Sequence, residues 1–88
     1  MIDETAYVHA SADVSPDAHV GARTRIWRFA CIREHAHIGA ECTIGQGVYM
    51  DPHVRVGSRV KVQTNSSLFE GVVIDDGVFI GPHTCFTN

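Results

Sequence analysis

A six-residue period runs through the whole chain and constrains its fold more than any other feature. Counting from Ile2 in steps of six gives fifteen positions, and all carry a large apolar residue: Ile2, Val8, Val14, Val20, Ile26, Ile32, Ile38, Ile44, Met50, Val56, Val62, Leu68, Ile74, Ile80 and Phe86. At 44% hydrophobic residues, chance gives such a run on the order of once in 10^5 sequences. A second series, four residues after each anchor, holds nothing larger than valine: Ala6, Ala12, Ala18, Thr24, Ala30, Ala36, Cys42, Val48, Val54, Val60, Ser66, Val72, Val78 and Thr84.

This period is typical of a left-handed parallel β-helix built from hexapeptide repeats. The large residue points inward from a flat face, the small residue fills the inside of a corner, and glycine or proline meets the corner dihedrals. Three hexads close one triangular coil, so the 88 residues predict a single domain, residues 1–88, of about five coils without inserted loops. A β-sandwich is the alternative, but it needs two-residue alternation and variable turn spacing, which this sequence lacks.

Charge and cysteine content narrow the class of function. The formal net charge of −3 gives no basic footprint for nucleic acid or for an anionic membrane surface, and no apolar run reaches membrane-spanning length. The first residues lack the basic and apolar regions of a secretory signal peptide. Three cysteines, an odd number without framework spacing, predict a reducing, cytoplasmic location.

Two pairs of histidines are predicted to stack. In a triangular coil of hexads, residues eighteen positions apart lie about 4.8 Å from each other on neighbouring turns, which places His35 against His53 and His19 against His37. Adjacent imidazoles can ligate zinc, but zinc needs three or four ligands, and the sequence offers no third one in either column. We therefore expect solvated histidines and no bound metal.

Aromatic residues on the outside of the coil predict self-association. Five of them occupy positions that need not point inward: Trp27, Phe29, Tyr49, Phe69 and Phe79. A thin prism with aromatic residues on its outer faces usually covers them with a partner. Three-fold packing of flat faces provides that partner, so the pattern predicts a homotrimer.

Three stretches carry a resemblance to a known family. They are Ile26–Arg33 (IWRFACIR), Gly45–Asp51 (GQGVYMD) and Val60–Asn88 (VKVQTNSSLFEGVVIDDGVFIGPHTCFTN). Together they resemble the first half of the bacterial sugar-nucleotide N-acetyltransferases. The resemblance implies a trimer that transfers acetyl from acetyl-CoA, its co-substrate, to the amino group of a UDP- or dTDP-linked sugar, often for lipopolysaccharide O-antigen. It also implies that the nucleotide sugar lies in a groove between two subunits.

The same resemblance implies which residues form the site. Asn88 matches the asparagine of the family's FTN motif, which lies at the reacting amine. His83 is the second candidate catalytic residue, because other hexapeptide acyltransferases use a histidine as base. The implied substrate contacts are Asn65, Glu70, Gln63 and Arg28. Thr64 and Phe69 depart from the family, which has asparagine and tyrosine at these motif positions.

Two alternatives remain open from the sequence. The chain stops at Asn88, where relatives continue with the coils that form most of the acetyl-CoA site. A non-catalytic assembly module is therefore the first alternative, in which trimers stack end to end and cover the open edge of the last coil. The second alternative is a zinc protein similar to the γ-class carbonic anhydrases, which share this fold and place histidine ligands across a subunit interface.

Overall fold

Short parallel strands form the whole architecture. The computed structural model describes residues 1–86. Within them the chain forms fourteen two-residue strands: β1 (Tyr7–Val8), β2 (Asp13–Val14), β3 (His19–Val20), β4 (Arg25–Ile26), β5 (Cys31–Ile32), β6 (His37–Ile38), β7 (Thr43–Ile44), β8 (Tyr49–Met50), β9 (Arg55–Val56), β10 (Lys61–Val62), β11 (Ser67–Leu68), β12 (Val73–Ile74), β13 (Phe79–Ile80) and β14 (Cys85–Phe86). Residues 1–86 include no helix of the length and apolar character that a membrane span requires.

The strands assemble into three parallel sheets. Sheet 1 contains β1, β4, β7, β10 and β13, sheet 2 contains β2, β5, β8, β11 and β14, and sheet 3 contains β3, β6, β9 and β12. Each strand pairs with the third strand after it, so the register joins residues eighteen positions apart, as in Arg25 with Thr43. An isolated bridge between Ile2 and Val20 extends sheet 3 by one position.

Four-residue corners connect the sheets. The 1–2 corner comprises residues 9–12, 27–30, 45–48, 63–66 and 81–84. The 2–3 corner comprises residues 15–18, 33–36, 51–54 and 69–72, and the 3–1 corner comprises residues 3–6, 21–24, 39–42, 57–60 and 75–78. At three strands a turn, the fourteen strands make four complete turns and two further strands. The predicted parallel β-helix of hexapeptide repeats is confirmed, with slightly fewer turns than the five expected.

The core follows the two predicted apolar series. The second residue of each strand points inward, and from Val20 to Ile80 every one of these anchors is buried. The small corner residues are buried from Ala18 to Ser66. The series is less buried at both ends, as at Val8 and Phe86, because a terminal coil has a neighbour on one side only.

Left-handed backbone recurs at the third residue of every corner from residue 21 onwards. The φ angle is positive at Arg23, Phe29, His35, Glu41, Gly47, His53, Arg59, Asn65, Gly71, Gly77 and His83. This conformation costs a non-glycine residue about 1–2 kcal/mol. Hydrogen bonds between coils hold it in place, because Asn65 N–H donates to Gln46 O at 2.8 Å and His83 N–H donates to Thr64 O at 2.8 Å. The backbone at these positions is therefore fixed, and so is the position of the Cα atom that carries each side chain.

Candidate functional site

Charge is distributed very unevenly around the solenoid. All ten aspartates and glutamates lie on sheet 2, the 2–3 corner or the 3–1 corner: Asp3, Glu4, Asp13, Asp17, Glu34, Glu41, Asp51, Glu70, Asp75 and Asp76. Sheet 1 and the 1–2 corner, together called the basic face, carry Arg25, Arg28 and Lys61 and no side-chain carboxylate. The rest of the chain has four arginines against the ten carboxylates. A region of positive charge therefore exists on a chain whose net charge is negative.

The cations of the basic face also lack partners, whereas most others are paired. Ion pairs join Arg23 to Glu41 at 3.2 Å, Arg33 to Glu34 at 2.8 Å and Arg59 to Asp76 at 3.6 Å. Within residues 1–86, Arg25, Arg28 and Lys61 take part in no ion pair. Their positive potential stays available to an anionic ligand.

A groove of about 360 Å³ opens on the basic face. Its lining comes from three successive coils and comprises Trp27, Arg28, Thr43, Gly45, Gln46, Gln63 and Thr64. Its volume lies at the lower end of the range for small-molecule sites, about 300–1,000 Å³. It combines one aromatic residue, one cation and several neutral polar groups, a mixture suited to a polar organic anion.

The groove exists because one residue in a stacked column has no side chain. Trp27, Gly45 and Gln63 follow each other at intervals of eighteen residues. A Cβ atom on Gly45 would lie 2.9 Å from Val62 O and 3.0 Å from Thr64 N, so the coil above excludes any side chain there. The wall of the groove at Gly45 is therefore formed by backbone.

Trp27 is held in position from the side of the preceding coil. Its side chain is 39% exposed. Its indole packs against the ring of Tyr7, with 5.4 Å between centroids and 54° between planes. Because Tyr7 lies one coil before Trp27 and the groove extends over the following coils, the indole can contact a ligand while it stays supported.

Two of the residues expected to contact substrate meet in this groove. Arg28 and Gln63 both line it, from coils that are two turns apart. Asn65 and His83 lie on the same corner outside the groove lining, stacked on neighbouring coils as expected. The Oδ1 atom of Asn65 occupies the space that a Cβ on Gly47 would need.

Glu70 and Asn88 belong to a different part of the molecule. Glu70 lies on the 2–3 corner, where its Oε2 is 3.3 Å from His53 Nδ1 and its N–H donates to Asp51 Oδ2 at 3.1 Å. Sheet 2 separates this corner from the groove within one chain. Asn88, the first candidate catalytic residue, lies outside the described residues.

The predicted histidine stacks are confirmed. The ring centroids of His35 and His53 are 5.2 Å apart, and those of His19 and His37 are 5.5 Å apart. The pKa of His37 is below its usual value, mainly because burial disfavours the charged ring and also because Arg55 and His19 are close. In the part of the chain that the structure describes, no three His, Cys, Asp or Glu side chains gather as a metal site would need.

Reasoning from sequence missed the neutral part of the groove. Thr43, Gln46 and Gly45 line it, yet among the residues that line the groove the resemblance implied only Arg28 and Gln63 as substrate contacts. The signal that could have found the groove is the column Trp27–Gly45–Gln63, in which a glycine separates an aromatic residue from an amide.

Comparison with known proteins agrees with the repeat. Residues 17–52 match the family described as bacterial transferase hexapeptide (six repeats). This segment is less than half of the chain, and it runs from the 2–3 corner through β8. The repeats of this segment are therefore similar to those that this family has in common.

One solved structure supports a shared fold. A variant of GDP-perosamine N-acetyltransferase from Caulobacter crescentus, in complex with CoA and GDP-perosamine, superposes with a TM-score of 0.51 and 16% identity, over 96% of this chain and 49% of that one. UDP-N-acetylglucosamine acyltransferase from Francisella novicida gives a TM-score of 0.37 and 18% identity, over 98% of this chain and 45% of that one. The chain spans about half the length of these proteins.

Proposed function

We propose that this chain forms the acceptor-binding half of an acyltransferase that moves acetyl from acetyl-CoA to the amino group of a nucleotide-linked sugar. The observation that carries the proposal is the groove that holds Arg28 and Gln63 on a carboxylate-free face of a hexapeptide-repeat solenoid. The hexapeptide transferase match and the likeness to an N-acetyltransferase crystallised with CoA support the reaction class.

The charge of the basic face suits the acceptor. A nucleotide-linked sugar carries a diphosphate, so its binding needs positive charge without competing carboxylates. Arg28 offers a planar fork of donors that matches phosphate oxygens, and Arg25 and Lys61 add positive charge on the neighbouring strands.

The reaction needs positioning more than it needs strong acid or base. The amine nitrogen attacks the thioester carbonyl, a C–N bond forms, the C–S bond breaks, and the amine proton ends on the departing CoA sulfur. Holding the two reactants together supplies much of the rate. Through the resemblance, Asn88 orients the amine and His83 is the candidate base.

A homotrimer would cover aromatic residues that a single chain leaves exposed, and it would bring Glu70 to the groove of a neighbouring copy. Phe29 and Phe79 are 64% and 65% exposed, an unfavourable state for aromatic side chains unless a partner covers them. Glu70 lies away from the groove within one chain, so it reaches the acceptor when a neighbouring copy supplies it. The cytoplasmic location and the role in O-antigen synthesis stay predictions.

Binding and turnover test the proposal separately. Calorimetry would measure the affinity for acetyl-CoA and for GDP-, UDP- and dTDP-linked amino sugars. A thiol-release assay would measure transfer, with nucleotide sugars that carry a hydroxyl in place of the amino group as non-reacting controls. Arg28→Ala should weaken nucleotide-sugar binding about tenfold or more. Arg23→Ala, which removes a paired arginine on the 3–1 corner, is the matched control and should have little effect.

Three results would count against parts of this proposal. Nucleotide-sugar binding without thiol release would favour a non-catalytic module. If Arg28→Ala and Arg23→Ala weakened nucleotide-sugar binding equally, the acceptor would bind outside the groove. If light scattering gave the mass of a single chain, Glu70 of a second copy could not contact the acceptor.

A further inference from the structure

The basic face also carries the exposed aromatic side chains of residues 1–86. Tyr7 and Phe79 lie on sheet 1, and Trp27 and Phe29 lie on the 1–2 corner, with exposed fractions from 39% to 65%. The central part of a protein interface is enriched in aromatic residues and arginine and depleted of carboxylates. A face with exposed aromatic rings, cations without an ion pair in the described chain, and no carboxylate has the composition of a contact surface for another protein.

The most acidic surface is formed by sheet 2 and the 2–3 corner, together called the acidic face. It carries five carboxylates and one arginine, namely Asp13, Asp17, Glu34, Asp51, Glu70 and Arg33, which give a formal charge of −4 with histidine neutral. The 3–1 corner also has five carboxylates, but its two arginines each pair with a carboxylate of the same corner. The acidic face is therefore the surface of this chain whose charge best complements the basic face.

Sheet 2 connects the two faces in a way that allows a closed ring of copies. It has the 1–2 corner along one edge and the 2–3 corner along the other. In a ring of identical copies, each contact joins two different patches of the chain. With sheet 2 of every copy turned toward the ring axis, the 2–3 corner of one copy meets the 1–2 corner of the next. The middle of sheet 2 suits that position, because its outward residues Cys31, Tyr49 and Ser67 are only partly exposed.

The coils place opposite charges at the same height in such a ring. Arg28 and Glu34 belong to one coil, and Lys61, Gln63 and Glu70 belong to another. Copies that stand side by side with parallel axes would bring Glu34 level with Arg28, and Glu70 level with Lys61 and Gln63. Because Gln63 lines the groove, Glu70 of a second copy would lie beside it.

We propose that the acidic face of one copy docks on the basic face of the next and closes the groove on one side with Glu70 of the second copy. The inference rests on the homotrimer of the proposed function and gives it a contact surface, but it does not depend on acetyl transfer. It commits to a second copy as the partner because one chain carries both complementary faces, at opposite edges of the same sheet.

Sedimentation velocity of the full chain without any ligand tests the contact. At about 0.1 M salt we expect the mass of three copies, and at about 1 M salt we expect dissociation at lower protein concentrations, because salt screens opposite charges. Trp27 is the single tryptophan of the chain and lies on the basic face. Its emission should therefore shift to shorter wavelength as the protein concentration rises and a second copy covers the indole.

Charge reversals locate the docking surface. Glu70→Lys on the acidic face and Lys61→Glu on the basic face should each raise the concentration at which half of the chain is assembled about tenfold or more. The double variant exchanges the two charges and should recover most of this loss. Asp75→Lys is the matched control, because it makes the same change in net charge on the 3–1 corner and should leave assembly unchanged. All three side chains are exposed, and circular dichroism checks that each variant folds.

Several results would overturn the docking surface. A mass of one copy at every concentration would overturn it together with the homotrimer. A mass of three copies that neither single reversal changes would overturn the surface and leave the homotrimer. An equal effect of Asp75→Lys, or no recovery in the double variant, would also overturn it, because the charges would then act without regard to position. Assembly as expected in a chain without acetyl transfer supports the docking surface and sinks only the proposed reaction.

Discussion

The 3–1 corner and the 1–2 corner come from the same repeat but use their outward polar groups differently. On the 3–1 corner these groups bind each other between coils: Arg23 pairs with Glu41, Arg59 pairs with Asp76, and Asp76 Oδ1 accepts the N–H of Ser58 at 2.8 Å. On the 1–2 corner, Arg28, Gln46 and Gln63 surround a groove and form no such pairs within the described residues.

This difference shows how a solenoid separates stability from function. The anchors and the backbone ladders repeat in every coil, so the outward residues of a corner are free to vary. A corner whose polar groups pair with each other adds a little to the stability of the stacked coils. A corner whose polar groups stay unpaired can bind a ligand. The two corners should therefore respond alike to substitutions inside the coil and differently to substitutions outside it.

The largest effect should come from a charge in the shared core. Ile44→Asp replaces a fully buried anchor of the middle coil with a carboxylate that has no partner, and the cost should exceed about 4 kcal/mol, enough to prevent folding. Circular dichroism and thermal unfolding would show the loss. Thr43→Asp changes the outward neighbour in the same strand and should leave the protein folded. If Ile44→Asp folds normally, the inward register of the hexad anchors is wrong.

Loss of a buried corner hydroxyl should lower the free energy of unfolding at both corners. Thr24 Oγ1 donates to Gly39 O at 2.7 Å and accepts from Cys42 N–H at 3.1 Å on the 3–1 corner. Ser66 Oγ donates to Gly81 O at 2.8 Å and accepts from Thr84 N–H at 3.1 Å on the 1–2 corner.

Thr24→Val leaves the Cys42 N–H and the Gly39 carbonyl without a partner. Ser66→Ala leaves the Thr84 N–H without a partner, while Gly81 O still accepts from Thr84 Oγ1 at 2.9 Å. Each should therefore lower the free energy of unfolding by about 1–3 kcal/mol, measured by urea denaturation. If only one of the two substitutions lowered the free energy of unfolding, the two corners would differ in their buried residues as well as in their outward ones.

His37 on sheet 3 should make the stability of the fold depend on pH. The pKa of His37 is lowered in the folded protein, chiefly by burial and next by Arg55, so the unfolded chain binds a proton more readily. Stability is then full above the unfolded pKa of about 6.5 and falls as pH drops through the lower folded pKa.

The unfolding midpoint measured at pH 7.5 and at pH 5 would show this decline. His37→Gln should reduce the decline. An unchanged pH profile in His37→Gln would assign the dependence to another group.

The sequence predicted the fold far better than it predicted the site. The hexad series fixed which residues point inward, and the eighteen-residue rule placed His35 against His53 because strand register in a solenoid is set by the repeat itself. The groove escaped prediction because it depends on an absent side chain at Gly45 and on the packing of Trp27 against Tyr7, which no period encodes. Arg28 and Gln63 were found through the resemblance alone.

The smallest change in the free energy of unfolding should come from removal of the exposed ion pairs. The side chains of Arg23 and Glu41 are 62% and 47% exposed, and pairs in such settings contribute about 0–1 kcal/mol because water and salt screen them. Arg23→Ala should therefore lower the free energy of unfolding by no more than about 1 kcal/mol, and less in 1 M salt. Arg28→Ala removes no pair and should not lower it. If Arg28→Ala were the more destabilising change, the 1–2 corner would support the fold, and the separation of stability from ligand binding would fail.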